Sequence, residues 1–261
     1  MGGVLVPPAL DTSELETRVR EMYRAVAEAP EGRYHFELGR ALADRLGYDP
    51  RALDSVPADA VDSFAGVGHF FDLVELRPGE SVLDLGSGSG MDAFLAAAQV
   101  GSEGRVVGVD MTPEQLAKAE RLREAAGLEN AKFVEGQIER LSADEASFDA
   151  VISNGVINLS PQKDRVFAEA FRVLRPGGRL AIADIIAERA LPDDVVCNAD
   201  LWASCIGGAA ESGAYRQAIA DAGLILERTR VNPYAFISGQ ARRASVTYGV
   251  QSVSLLARKP A

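Results

Sequence analysis

Asp84, Gly86, Ser87, Gly88 and Gly90 fall within the stretch VLDLGSGSGMD, which follows a short apolar run and opens a helical pattern. Glycines at this spacing permit a tight turn and let the backbone approach a ligand closely. A dinucleotide fingerprint needs a further glycine three places after Gly88, where Met91 stands instead. A carboxylate at the strand end, Asp84, repels a pyrophosphate and suits a ligand that carries an ammonium group. The next strand-like run ends in Asp110, which can hold two ribose hydroxyls, and Met111 after it offers an apolar body to a purine face. Together these residues draw an adenosine with a cationic amino-acid tail.

A second group of reactive types is the pair of thiols. Cys197 and Cys205 are the only cysteines of the chain, and Trp202 lies three residues before Cys205, a separation that one helical turn would bring to one side. Two cysteines in a chain this long do not make a disulfide framework, so they read as reduced. His35 and His69 are the only histidines, and no Cys/His spacing suits a metal, so no metal is expected.

The elements that must position these groups are legible from periodicity. From Ser81 onward the runs SVLDL, RVVGVD, AKFVE, FDAVIS, RLAIADII, LILERTRV and QSVSLLARK read as seven strands, most of them separated by helical patterns. Thr112, Pro113 and Gln115 give one helix an N-cap, a first-turn proline and a capping-box partner, and Ser160 with Pro161 repeats the first two of these signals. Strand then helix, several times over, predicts an α/β fold with a doubly wound, mostly parallel sheet. The last two runs have no evident helix between them and predict an antiparallel return. Residues 187–211 interrupt the alternation on the side where such sheets bind ligands. Ahead of the sheet, residues 1–74 read as a loose arm and a helical cap, including a helix through YHFELGRALADRLG with His35, Leu38, Leu42 and Leu46 on one face. Residues 75–261 form the main domain.

Lysine and arginine number 27 against 38 acidic residues, a net charge of −11, which makes nucleic acid a poor partner. With no long apolar run and no secretory leader, a soluble cytoplasmic protein is expected, without a membrane partner.

The motifs LDLGSGSG, GVDM, FVEGQIERL, FDAVISN and LRPGGRLAIAD, in this order, resemble the class I S-adenosylmethionine-dependent methyltransferases with their Rossmann-like fold. The resemblance implies S-adenosylmethionine as cofactor, its methionine portion at Asp84 and the loop Gly86 to Gly90, its ribose at Asp110 and its adenine at Met111, Gln137 and Ile138. Asn154 would lie beside the methionine tail. GVDMTPEQLAKA, VISNGVINLSPQKDRVFAEAFRVLRPGGRLAIADI, CIGGA and the tail FISGQARRASVTYGVQSVSLLARKP are similar to the arsenite methyltransferase group, in which cysteine thiolates hold trivalent arsenic. Cys205 matches one family cysteine, whereas Gly155 stands where that family carries another. The resemblance therefore implies Cys205 as an acceptor ligand, Cys197 and Trp202 as neighbours of the acceptor, and a small thiol such as glutathione as a source of missing sulfur. Because the segment before this fold often caps the pocket, His35 is the candidate base, with Tyr34 beside it on the substrate side. Methylation of an organic metabolite and a non-catalytic cofactor-binding role remain open alternatives.

Overall fold

The computed structural model describes residues 11–196, 202 and 206–261. Within them, α1 (Thr12–Glu28), α2 (Arg40–Leu46), α3 (Pro50–Asp54), α4 (Ala58–Asp62) and α5 (Phe71–Val74) precede the sheet. Asp11 starts α1 by accepting the N–H groups of Ser13 and Glu14, both at 3.0 Å. The helix expected to run through residues 34–47 begins only at Arg40, because Gly39 adopts φ 80° immediately before it. A left-handed residue cannot continue a right-handed helix, so the single apolar face drawn through His35 and Leu38 does not exist.

The sheet and its helices follow in the order β1 (Ser81–Leu85), α6 (Met91–Val100), β2 (Arg105–Asp110), α7 (Pro113–Ala126), β3 (Ala131–Glu135), β4 (Phe148–Asn154), α8 (Lys163–Val173), β5 (Leu174–Ala187), α9 (Asp193–Val196), β6 (Ala210–Glu211), α10 (Ser212–Asp221), β7 (Ile225–Val231), α11 (Gly239–Tyr248) and β8 (Gln251–Arg258). A 3-10 turn, Ile157–Leu159, joins β4 to α8. The strand order is β3-β2-β1-β4-β5-β8-β7. The first five of these strands pair in parallel, while β8 runs antiparallel to both β5 and β7. All seven expected strands are present, and the two-residue β6 adds a short parallel pairing on β5.

Successive side chains of a strand point to opposite faces, and each face of this sheet is covered. Val82 belongs to an apolar cluster that includes α1 to α6, whereas Leu83 and Leu85 belong to one built with α8 and α10. Each fully buried leucine contributes roughly 1.5–3 kcal/mol. Asp84 shares the face of Val82, toward the N-terminal helices.

Three local expectations need correction. A helix, α11, does stand between β7 and β8; only the small residues Ala241 and Ala244 are buried on it, so it lacks the broad apolar stripe by which a surface helix is recognised. Thr112 gives α7 no side-chain cap, and Gln115 instead reaches Ser89 and the Tyr23 carbonyl. Helix α8 starts at Lys163 after Gln162, with the Ser160 hydroxyl accepting the Gln162 N–H at 3.0 Å. Among the described residues no helix is long and apolar enough to cross a membrane.

Candidate active site at the strand tips

A cavity of about 540 Å³ opens at the carboxyl ends of β1, β2 and β4 and is covered by α1. This is where a doubly wound sheet is expected to hold a ligand. It brings together every residue expected at a donor site, from Asp84 and the glycine loop through Asp110, Met111, Gln137 and Ile138 to Asn154. Two glycines of the loop are sterically required. Gly86 has φ 71°, and a Cβ there would come within 2.4 Å of Val156; Gly90 has φ 96° and a Cβ would meet Phe133 at 2.7 Å. Gly86→Ala is therefore expected to destabilise the fold by at least about 1–2 kcal/mol, the left-handed backbone alone accounting for that much. Thermal unfolding checks this, and an unchanged melting temperature would show that the loop can relax around a methyl group.

Three carboxylates crowd the base of the cavity. Asp84 is 2% exposed and its Oδ2 has no hydrogen-bond partner in the protein. Burial, then the neighbouring Asp92, then Asp110, holds its carboxyl well above the usual carboxylate range. Burial raises Asp92 to about 6, against hydrogen bonds from Tyr48 and Asn154 that pull it down. Asp110 is also raised by burial, opposed by the N–H groups of Thr112 and Gly88, which it accepts at 2.8 and 2.9 Å. An orphaned buried carboxylate oxygen among like charges lacks a cation. The Ser87 hydroxyl, also buried and without a partner, adds a further unused polar atom to the loop.

Asn154 is the tie between the sheet and the cap. Its amide donates to Tyr48 Oη at 3.0 Å, to the Gly68 carbonyl at 2.9 Å and to Asp92 at 2.9 Å, while its oxygen accepts the Val67 N–H at 2.8 Å. Tyr48 in turn donates to Asp92 at 2.7 Å. On β8, Ser252 and Ser254 donate to the Val67 and His69 carbonyls at 2.6 and 2.7 Å, fixing the loop whose Phe64, Ala65 and Gly66 line the cavity. Tyr48 and Asp92 were not singled out from the sequence. Asp92 carries a signal in retrospect, a second acid directly after the glycine loop, whereas Tyr48 lies 44 residues away from it and carries none.

The other expected site residues are placed differently. Tyr34 and His35 lie outside the cavity lining: the Tyr34 hydroxyl donates to the Ala29 carbonyl at 2.8 Å, and the His35 ring stands edge-on to Phe36 at 4.8 Å. His69 is engaged with Asp72 at 3.2 Å and packs edge-on to Tyr48 at 4.7 Å, and burial lowers its basicity. Trp202 is buried, with its indole N–H donating to the Val196 carbonyl at 2.5 Å. Cys197 and Cys205 lie outside the described residues.

Comparison with known proteins fits this geometry. Residues 76–223 match a family described as a methyltransferase domain. An arsenite methyltransferase of Halobacterium salinarum is 38% identical over 96% of this chain and 68% of its own length. The chain belongs to the S-adenosylmethionine-dependent methyltransferases. A second relative, the arsenite methyltransferase of Aquipseudomonas alcaligenes, is 48% identical over 51% of this chain and 41% of its own. The crystal structure of an arsenic(III) S-adenosylmethionine methyltransferase from Chlamydomonas reinhardtii matches with a TM-score of 0.67 at 34% identity, over 81% of this chain and 72% of that one. This methyltransferase thus spans about two thirds of the first relative and under half of the second.

The residues present fit the family's donor. S-adenosylmethionine, when bound, supplies a methyl group activated on a cationic sulfur. On the protein side, Asp84 and the loop from Gly86 to Gly90 would hold the cationic amino-acid end, and Asp110 the ribose hydroxyls. Met111 and Ile138 would supply apolar surface for the base.

Proposed function

We propose that this methyltransferase acts on trivalent arsenic held by thiolates, with Cys205 as the protein ligand and a small thiol such as glutathione completing the set. The observation that carries the reading is the 38% identity with the halobacterial arsenite methyltransferase over 96% of the chain. Soft thiolates suit a soft metalloid. The chemistry also accords with the cavity: no histidine lines it, and an arsenic lone pair needs no proton removed at the transfer step. What such a reaction demands is positioning of the acceptor in line with the transferred methyl, which supplies several kcal/mol.

Gly155 explains why an external thiol enters the proposal. It adopts φ 72°, and a Cβ there would lie 3.3 Å from Val67 Cγ1 and 3.7 Å from the Ala65 carbonyl, against the loop that walls the cavity. No sulfur comes from this position. The missing sulfur also favours a second reading, methylation of an organic acceptor, although Val67 and the Ala65 carbonyl leave no open space at Gly155 itself.

Incubation with methyl-labelled donor and arsenite, with and without glutathione, separates the two. Labelled methylarsenic formed only when the thiol is added is the expected outcome. Label passing instead to an organic metabolite, with arsenite inert, would establish the second reading, and absence of S-adenosylhomocysteine with every acceptor would leave a cofactor-binding protein.

A further inference from the structure

Asp92 stands at the second position of α6, directly after the glycine loop, and lines the cavity although it is only 6% exposed. Two features favour its charged form there. The N-terminal end of a helix is positive and stabilises an anion in the first turn. Tyr48 Oη donates to one carboxylate oxygen at 2.7 Å, and the Asn154 amide donates to the other at 2.9 Å. Burial works the other way and leaves the carboxyl at about 6. Asp84 beside it has no donor on Oδ2, and burial, then Asp92, then Asp110 hold it well above the usual carboxylate range. Of these two neighbours, Asp92 is the one whose charge the protein itself supports.

Tyr48 reaches Asp92 from the cap, out of the loop between α2 and α3 and across 44 residues of chain. It is buried and does not itself line the cavity. Its hydroxyl has two acceptors within reach, the Gly68 carbonyl at 3.3 Å and Asp92 at 2.7 Å, and the shorter bond is the charge-assisted one. Burial and then the charge of Asp92 hold the phenol well above its ordinary range, so it stays a donor. Phe64 and His69 fix the ring from two sides, edge-on at 5.3 and 4.7 Å. Facing the Tyr48–Asp92 pair are Asp84 on β1 with Asp110 beyond it on β2, and, across the Tyr48 ring, His69 with Asp72 and Arg230.

We propose that Tyr48 completes the donor seat from the cap: its hydroxyl holds the Asp92 carboxylate against the cavity as a second anion for the ammonium of S-adenosylmethionine. Asp92 touches the donor, and Tyr48 is a positioning residue that acts through it. This role belongs to the donor end of the cavity and is independent of the acceptor.

Calorimetric titration with two ligands tests the assignment without turnover. S-adenosylmethionine carries the ammonium, whereas 5′-methylthioadenosine keeps the adenosine and the sulfur but lacks the amino-acid end. Asp92→Asn should weaken S-adenosylmethionine by about tenfold or more and leave 5′-methylthioadenosine within about twofold of wild type. Tyr48→Phe keeps the ring and removes one hydrogen bond to a charged oxygen, which moves the Asp92 titration upward by about one pH unit. A donor that needs this carboxylate charged should then bind Tyr48→Phe about fivefold more weakly than wild type at pH 6 and about equally at pH 8. Combining the two substitutions should cost no more than Asp92→Asn alone.

An S-adenosylmethionine Kd unchanged in Asp92→Asn would overturn the assignment. So would a loss shared equally by both ligands, or a Tyr48→Phe deficit of the same size at pH 6 and pH 8, since either marks a merely structural tie between cap and sheet. If one variant fails to fold, the other compared with both ligands at pH 6 decides alone, and equal losses there overturn the assignment as well.

Discussion

Asp84→Asn is expected to weaken S-adenosylmethionine binding by at least about 100-fold, the scale on which an unpaired buried charge is felt, while raising the melting temperature of the donor-free protein at pH 8. The two effects have one cause. Asp84 is a buried carboxylate whose Oδ2 has no partner and whose neighbours Asp92 and Asp110 bear the same charge. In the empty protein it opposes folding whenever it is ionised. Its folded pKa is raised, so the stability linked to its proton is fully present below its unfolded value of about 4 and is lost as pH rises through the folded value. Asp92, raised to about 6, adds a loss between about 4 and 6. Asparagine never ionises, so its advantage over wild type should widen with pH. Calorimetric titration and thermal melts at pH 5 and pH 8 check both halves. A variant that binds the donor normally, or that melts lower at pH 8, contradicts this account of Asp84.

Cys205→Ser should reduce methylation of arsenite by at least about 100-fold, since a hydroxyl is a hard and poor ligand for a soft metalloid, yet leave the donor Kd unchanged. The selectivity of the loss matters more than its size. Cys205 adjoins Ile206, next to the glycines that rest on Trp202 and the Asn158 carbonyl, whereas the donor residues sit on the tips of β1, β2 and β4. Cys197→Ser is the comparison: with Gly155 contributing no sulfur, a loss confined to Cys205 would mean that added thiol supplies every other ligand. Steady-state rates with arsenite and glutathione decide the matter. Equal rates for wild type and Cys205→Ser would remove the thiolate from the reaction and favour an organic acceptor.

The donor side was legible in the sequence because its chemistry is written locally. Asp84 is the penultimate residue of one strand-like run and Asp110 ends the next, and parallel pairing of β1 with β2 in register, Asp84 opposite Gly108, brings both acids to the carboxyl end of the sheet. Alternation of strands and helices was enough to order the rest of the sheet class. What escaped was carried by contacts between distant segments. The Tyr48–Asp92–Asn154 network spans 106 residues of chain and leaves no periodic trace. The helix expected through His35 escaped for a different reason: an apolar period of 3.6 ran across Gly39, whose backbone sign no periodicity reports. Helix α11 was missed because burial of two alanines makes a weak stripe.

The central claim is that the buried acids at the strand tips form a seat for a cationic adenosyl donor. Titration calorimetry of S-adenosylmethionine into the protein at mildly acidic pH, repeated in two buffers of different ionisation enthalpy, tests it most directly. The prediction is tight binding accompanied by net proton release, as Asp84 gives up its proton to face the incoming ammonium, with affinity that strengthens as pH rises. Binding with no buffer-dependent heat and no pH dependence, or no binding at all, would contradict it.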